Sequence, residues 1–335
     1  MLFISCASCN QQPSIVVTLK PIYGLVAALT EGMATPVLLC DGRGSTHTLS
    51  LTPGDITTLN GADLVVWVGE SYEMVMAKPL IKLMKADQLL TLDEVKGLTF
   101  YQQRIGGLFP GQECHCCDHG HDHHHEHDDV TIYDDEQDEE AADTHEHSSI
   151  DGHFWLDIEN AKICARAIAT VLMQKWPVHK EIISANLIKL ESSLDALKIE
   201  LNAQLAPVQG MLALIDHDSL QYVEKQFGFA IKGVLSEEHG MSPSAKHVKK
   251  LKDELDANLE EGLIRVFFYE GATDGNAPSL LKNLADAYSI RLAPMDYVGE
   301  QLPKGIDGYQ VCLRAIAAQI HVGFVQKVVH NENLR

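Results

Sequence analysis

The chain has 335 residues, 45% of them apolar and 22% charged, a composition typical of a globular protein with one large or two medium domains. The formal net charge is −21, but fourteen acidic and no basic residues lie between Glu113 and His147, which leaves −7 for the rest of the chain. Because a nucleic-acid backbone binds to a basic surface, this balance disfavours a nucleic-acid binder. No apolar run reaches the roughly 18 residues of a membrane-spanning helix.

Residues 1–13 are predicted to be a signal remnant or a disordered end. A short apolar run followed by small residues up to Cys9 is typical of the end of a secretory signal, but the basic start of such a signal is missing. The signal sequence is therefore expected to be truncated, and lipid attachment at Cys6 or Cys9 stays an open alternative. The eight cysteines form no disulfide framework and leave the compartment open.

Strands and helices alternate in the first part of the chain. β-rich runs at residues 14–19, 36–40 and 63–69 predict three strands. An apolar-periodic stretch at 22–29 predicts a helix after the first of these strands. Pro53 suits the first turn of a second helix, which follows the second strand. This alternation favours a parallel α/β sheet.

Residues 111–150 break this pattern. They are of low complexity, crowded with His, Asp and Glu, and cannot bury enough apolar surface to fold on their own. We expect a disordered insertion here.

Two helices follow the insertion. Asp157 is a suitable N-cap for a helix that runs to about Lys175, and a second helix is predicted at 179–205. At about 1.5 Å per residue the second helix is about 40 Å long, enough to link two domains, although periodicity alone allows an amphipathic surface helix equally well. Its apolar stripe consists of Leu187, Leu190, Leu194, Leu197, Leu201 and Leu205.

The alternation of strands and helices resumes after Pro207. Strands are predicted at 211–215, 263–269 and 289–293, with a helix that ends near Gln226 and a closing helix from about Gly308.

The predicted architecture is therefore α/β, with two similar lobes of parallel sheet bridged by a long helix and a cleft between them. The boundaries are an N-terminal lobe at 14–157, which carries the insertion, helices at 158–207, and a C-terminal lobe at 208–335.

Four residues stand out by position. His217 and Asp296 follow predicted strands, His47 lies in the Gly-rich loop after another, and His153 directly precedes a helix. Ligands of open parallel sheets bind beyond the carboxyl ends of the strands, and three imidazoles with a carboxylate suit a Zn²⁺ ion. Their spacing fits no short zinc motif, and a single histidine is more often a surface or core residue, so the pattern alone is weak.

The acidic insertion is a second candidate metal site. Nine of the 17 histidines lie in it, and imidazole, thiolate and carboxylate at this density bind borderline transition metals. Ordering such ligands costs entropy, so we expect a weaker, secondary site that recruits or senses zinc, with a solvated charge run as the alternative. The residues proposed for it are His115, Cys116, Cys117, His119, His121, His123, His124, His125, His127, His145 and His147.

Several motifs follow one another in an order typical of one family. They are Ser45-Thr46-His47, Leu51-x-Pro53-x-Asp55, Ala62-Asp63-Leu64-Val65-Val66-Trp67-Val68-Gly69, Asp151-Gly152-His153-Phe154-Trp155, His217-Asp218 with Tyr222 and Gly228, and Met295-Asp296. Together with the His-rich insertion, they make the chain resemble the zinc-specific solute-binding proteins of bacterial ABC transporters, the ZnuA type. The resemblance runs from about Ser14 to about Ile320.

This resemblance implies a periplasmic or surface protein, expected to be a monomer, that captures Zn²⁺ in the cleft of two lobes joined by a rigid helix and delivers it to a zinc ABC transporter permease. The matching ligand positions are His47, His153 and His217, with Asp296 as a fourth or nearby carboxylate. Manganese and iron relatives usually have Glu at the third position, so His217 favours zinc. Thr46 and Thr48 stand where some zinc members have acidic residues on either side of the first histidine, which leaves the fourth ligand open.

Three other functions remain as alternatives. They are a manganese or iron relative, a metal buffer or adhesin without a transporter, and a zinc hydrolase. The hydrolase is the least favoured, since the chain has no His-Glu-x-x-His or Gly-x-Ser-x-Gly motif, and Glu270 is its one candidate general base. We therefore expect a binding protein and no enzyme.

Overall fold

The computed structural model describes residues 12–39, 41, 50–106, 108–109, 150–236, 243–258, 263–271 and 277–325. His47 and the metal-binding residues proposed for the acidic insertion lie outside the described residues.

The first sheet has four parallel strands in the order β2-β1-β3-β4. Its central strands are rich in Val, Ile and Leu and fully buried, as expected where helices cover both faces of a parallel sheet. The strands are β1 (Ile15–Val17), β2 (Val37–Leu38), β3 (Leu64–Trp67) and β4 (Leu89–Thr91), and the helices along them are α1 (Lys20–Leu29), α2 (Pro53–Asn60) and α3 (Met74–Leu83).

The second sheet repeats this arrangement with the order β6-β5-β7-β8, again parallel throughout. Its strands are β5 (Leu212–Ile215), β6 (Ala230–Val234), β7 (Ile264–Glu270) and β8 (Arg291–Met295). Two long helices lie between the sheets in sequence, α4 (Ile158–Lys175) and α5 (Lys180–Leu205), and the remaining helices are α6 (Gln221–Phe227), α7 (Ala245–Asn258), α8 (Ser279–Tyr288) and α9 (Gly308–Val325).

The long helix α5 links the two lobes, which is one of the two alternatives that its leucine pattern left open. Leu190, Leu194 and Leu197 are buried, and the helix packs against α1 of the first lobe and against α9 at the end of the chain. One continuous cluster of buried apolar side chains runs from Ile15 in the first sheet past this helix to Phe268 in the second. The lobes therefore share a core, which restricts their relative movement.

Helices α1 and α9 approach each other backbone to backbone. A Cβ atom on Gly24 would lie 2.3 Å from the backbone nitrogen of Tyr309 and 2.9 Å from the carbonyl carbon of Gly308. Only glycine permits this contact.

The predicted fold class is confirmed. Strands β4 and β6 were not predicted, and the proposed lobe boundaries stay a prediction. Within the described part of the chain, no helix combines the length and the apolar character needed to cross a bilayer.

Candidate metal centre

The structure brings His153 and His217 together. His153 precedes α4, whereas His217 follows β5 in the second sheet. Their ring centroids are 5.8 Å apart, and both residues are buried. The two histidines therefore lie next to each other, one before α4 and the other after a strand of the second sheet.

His153 is held by the residues next to it in sequence. Its Nδ1 lies 2.8 Å from Oδ1 of Asp151, and its backbone N–H donates to the same oxygen. The ring packs edge-on against Tyr72, which follows β3, with centroids 5.1 Å apart. Asp157 then caps α4 by accepting from the backbone N–H groups of Glu159 and Asn160, which fixes where the helix begins.

His217 has a closely similar environment. Its Nδ1 lies 3.3 Å from Oδ1 of Asp216, which also accepts a hydrogen bond from the Tyr297 hydroxyl at 3.2 Å. The ring packs edge-on against Tyr297 with centroids 5.2 Å apart. Burial lowers the pKa of His217, but the hydrogen bond and charge of Asp216, together with the charges of Glu270 and Asp218, raise it by more, so the pKa lies above its ordinary value.

This arrangement is typical of metal-binding histidines. When Nδ1 of an imidazole donates to a carboxylate, the ring is oriented and Nε2 carries the lone pair that a metal ion takes. Two imidazoles on one tetrahedral Zn²⁺ with bonds of about 2.0–2.1 Å have ring centroids roughly 5 Å apart. The separation of His153 and His217 is close to that value.

Two carboxylates lie at the carboxyl ends of strands in the second sheet, as His217 does. Asp296 follows β8, and its two oxygens accept backbone N–H groups of Glu300 and Gln301 at 2.8 and 3.1 Å. Each oxygen keeps a second lone pair, so these hydrogen bonds do not prevent Asp296 from binding a metal ion. Its role as a ligand stays a prediction. Burial raises the pKa of Glu270, at the end of β7, to about 7, and the charge of His217 partly opposes this.

Among the described residues no three His, Cys, Asp or Glu side chains are close enough to chelate one ion. The third predicted histidine, His47, lies in the stretch 42–49, and the secondary ligands lie in 110–149, both outside the described residues.

The supporting residues were not predicted from the sequence. Asp151 and Asp216 orient the two histidines, and Tyr72 and Tyr297 pack against their rings. Asp151 and Asp216 stand within two residues of a candidate histidine, which is a usable signal. The tyrosines are distant in sequence and offer none.

Solved structures similar to this fold include metal-binding proteins. The solute-binding protein FpvC of Pseudomonas aeruginosa in complex with Mn²⁺ has a TM-score of 0.67 and 16% identity, with 93% of this chain and 98% of that chain covered. A ZnuA deletion mutant with zinc bound has a TM-score of 0.66 and 19% identity, covering 93% of this chain and 97% of the mutant. At these identities the similarity shows the fold alone.

The family follows from sequence. The high-affinity zinc uptake system protein ZnuA of Brucella abortus (strain 2308) is 31% identical over 321 residues, which cover 94% of this chain and 92% of that protein. The family model of the zinc-uptake complex component A, periplasmic, matches residues 15–323. The chain belongs to this ZnuA family.

Proposed function

We propose that this protein captures Zn²⁺ between its two lobes and hands it to the permease of an ABC transporter. The observation that carries the proposal is the pair of buried imidazoles, His153 and His217, with ring centroids 5.8 Å apart and a carboxylate at each Nδ1. His47 is the proposed third ligand and Asp296 the fourth or a nearby carboxylate. The family assignment supports a periplasmic location, and we propose that the protein acts there as a monomer.

The ligand chemistry supports zinc over manganese. Imidazole nitrogen suits the borderline Zn²⁺ ion, whereas Mn²⁺ prefers oxygen ligands. A site built on His153 and His217 therefore discriminates between the two ions by ligand type, even though the same fold occurs in a protein solved with Mn²⁺.

Alanine at either histidine is expected to abolish tight zinc binding. In a chelator-competition titration, the wild type should bind one Zn²⁺ tightly and Mn²⁺ at least about 100-fold more weakly. His153→Ala and His217→Ala should each lose about 100-fold or more in zinc affinity. Removing a residue that only orients a metal ligand already costs about 10–100-fold in affinity, and removing a ligand itself should cost at least as much. The matched control is His321→Ala, whose Nδ1 contacts the backbone oxygen of Gln204 outside the site.

Two results would contradict this proposal. Wild-type zinc affinity in both histidine variants would show that the pair does not hold the ion. Equal affinities for Zn²⁺ and Mn²⁺ would favour the manganese or iron relative instead.

Deleting the acidic insertion tests its secondary role separately. A variant lacking residues 114–147 is expected to bind fewer Zn²⁺ ions in total but to keep the tight site, because its proposed ligands lie outside the deleted segment. The stoichiometry is measured by titration with metal analysis of the dialysed protein. Loss of tight binding on deletion would place the tight site in the insertion and would refute the assignment to His153 and His217.

A further inference from the structure

Tyr222 makes a hydrogen-bonded contact between the two lobes. It lies in α6 of the second lobe and is fully buried. Its hydroxyl donates to the backbone oxygen of Asp151 at 2.9 Å and accepts the backbone N–H of Tyr101 at 3.1 Å. The backbone N–H of Asp151 donates in turn to the backbone oxygen of Tyr101 at 2.9 Å. One phenol thus satisfies two backbone groups that lie side by side in the first lobe.

Both ends of this contact lie next to a candidate metal ligand. Asp151 precedes His153 by two residues and also holds its Nδ1. His217 lies in the loop between β5 and the short helix α6, and Tyr222 is near the start of that helix. The hydroxyl of Tyr222 therefore joins the segment that orients one histidine to the helix that follows the other.

The neighbouring contacts strengthen this tie. Arg104, three residues after Tyr101, pairs with Asp218 and with Glu224, the latter at 2.7 Å. The side-chain amide of Gln221 donates to the backbone oxygen of Gln102 at 3.0 Å. The stretch 101–104 is thus fixed to the second lobe at several points, and the Tyr222 hydroxyl also reaches the Asp151 backbone.

We propose that Tyr222 is a positioning residue for metal capture, whose hydroxyl fixes the separation of His153 and His217. The inference rests on the proposed function. A chelating site depends on ligand placement to within about 0.5 Å, and a side chain that spans both ligand segments sets that placement. Without the hydroxyl, the buried backbone oxygen of Asp151 and the part-buried N–H of Tyr101 lose a partner, and the Asp151 segment is expected to shift to satisfy them.

The test is Tyr222→Phe, which keeps the ring and removes only the oxygen. We expect zinc affinity to fall about 10-fold, at the lower end of the range for residues that orient ligands. Bound Co²⁺ should also show a changed visible absorption spectrum, because its coordination geometry changes. The control is Tyr288→Phe, which removes a hydroxyl that donates to Asp256 in the same lobe but away from the histidines, and which should leave affinity and spectrum unchanged.

A double variant separates positioning from general loss of stability. In the His217→Ala background, Tyr222→Phe is expected to cause a smaller loss of zinc affinity than in the wild type, because the separation of His153 and His217 no longer matters and only the placement of His153 is affected. A purely structural defect would weaken binding by the same factor in both backgrounds, and that result would overturn the proposal. Wild-type affinity and Co²⁺ spectrum in Tyr222→Phe would overturn it as well.

The two proposals fail in different ways. If His217→Ala weakens zinc binding as expected while Tyr222→Phe does not, only the positioning role is wrong. If His153→Ala and His217→Ala both keep tight binding, the proposed function is wrong and the role of Tyr222 falls with it.

Discussion

Replacing Gly24 by alanine is expected to destabilise the protein by about 3 kcal/mol, although alanine is the better helix former. The added Cβ would lie 2.3 Å from the backbone nitrogen of Tyr309, and backbone cannot rotate away as a side chain can. Helix α9 would have to move, and Tyr309 is tied to the first lobe by a hydrogen bond from its hydroxyl to the backbone oxygen of Trp155 at 2.9 Å. Overpacking of this kind typically costs about 1–3 kcal/mol or more.

Gly54 provides the matched control. It lies in the first turn of α2, and a Cβ there would meet only the Thr52 hydroxyl oxygen at 3.7 Å, an ordinary contact. Gly54→Ala should therefore stabilise the protein by about 0.5 kcal/mol through helix propensity and the lower entropy of the unfolded chain. Urea unfolding of the metal-free proteins measures both changes. Equal effects of the two substitutions would show that the α1–α9 contact is not as close as described.

The central strands and the helix α5 itself could be predicted from local patterns, whereas periodicity left open whether this helix links the lobes. β1, β3 and β7 are runs of β-branched and aromatic residues, and the leucine stripe of α5 marks one buried face. The strands β4 and β6 both lie at a sheet edge, where selection for buried β-branched residues is weaker. β4 reads Leu-Leu-Thr, and β6 contains Lys232 and Gly233, so neither has the composition that identifies a strand.

The candidate site was predictable only in part. His217 was found because it directly follows a predicted strand, where ligands of parallel sheets bind. His153 directly precedes a helix, and the resemblance to the ZnuA type identified it as a ligand. The contact of Tyr222 with Asp151 joins residues 71 positions apart and depends on how the lobes pack, which no local pattern encodes. The same holds for Gly24, whose meeting with Tyr309 is a consequence of helix crossing.

Glu73 is expected to make the stability of the protein fall as the pH rises from 4.5 to 7. Its side chain is fully buried next to the carboxyl ends of β1 and β3. There, Oε2 accepts hydrogen bonds from the Thr18 hydroxyl at 2.9 Å and from the backbone N–H of Val68 at 2.8 Å. Oε1 has no hydrogen-bond partner among the described residues. Burial raises the pKa of this carboxyl from 4.5 to about 7, and the two hydrogen bonds only partly oppose it.

The sign follows from proton linkage. Below pH 4.5 the carboxyl of Glu73 is protonated in both the folded and the unfolded chain and has no effect on pH dependence. Between pH 4.5 and 7 the unfolded chain loses the proton while the folded protein keeps it, so the free energy of unfolding falls by about 1.4 kcal/mol per pH unit. Above pH 7 both forms are ionised, and the loss stays constant at about 3 kcal/mol.

Glu73→Gln removes this titration while keeping the shape of the side chain. Between pH 4.5 and 8 the free energy of unfolding of the metal-free wild type should fall by about 3 kcal/mol more than that of the variant, because the two proteins differ in this one ionisable group. The control is Glu181→Gln, the same substitution at an exposed position of α5 remote in sequence from Glu73. Parallel curves for Glu73→Gln and the wild type would mean that Glu73 ionises alike in the folded and unfolded chain. Its unpartnered oxygen would then have to be hydrated in solution.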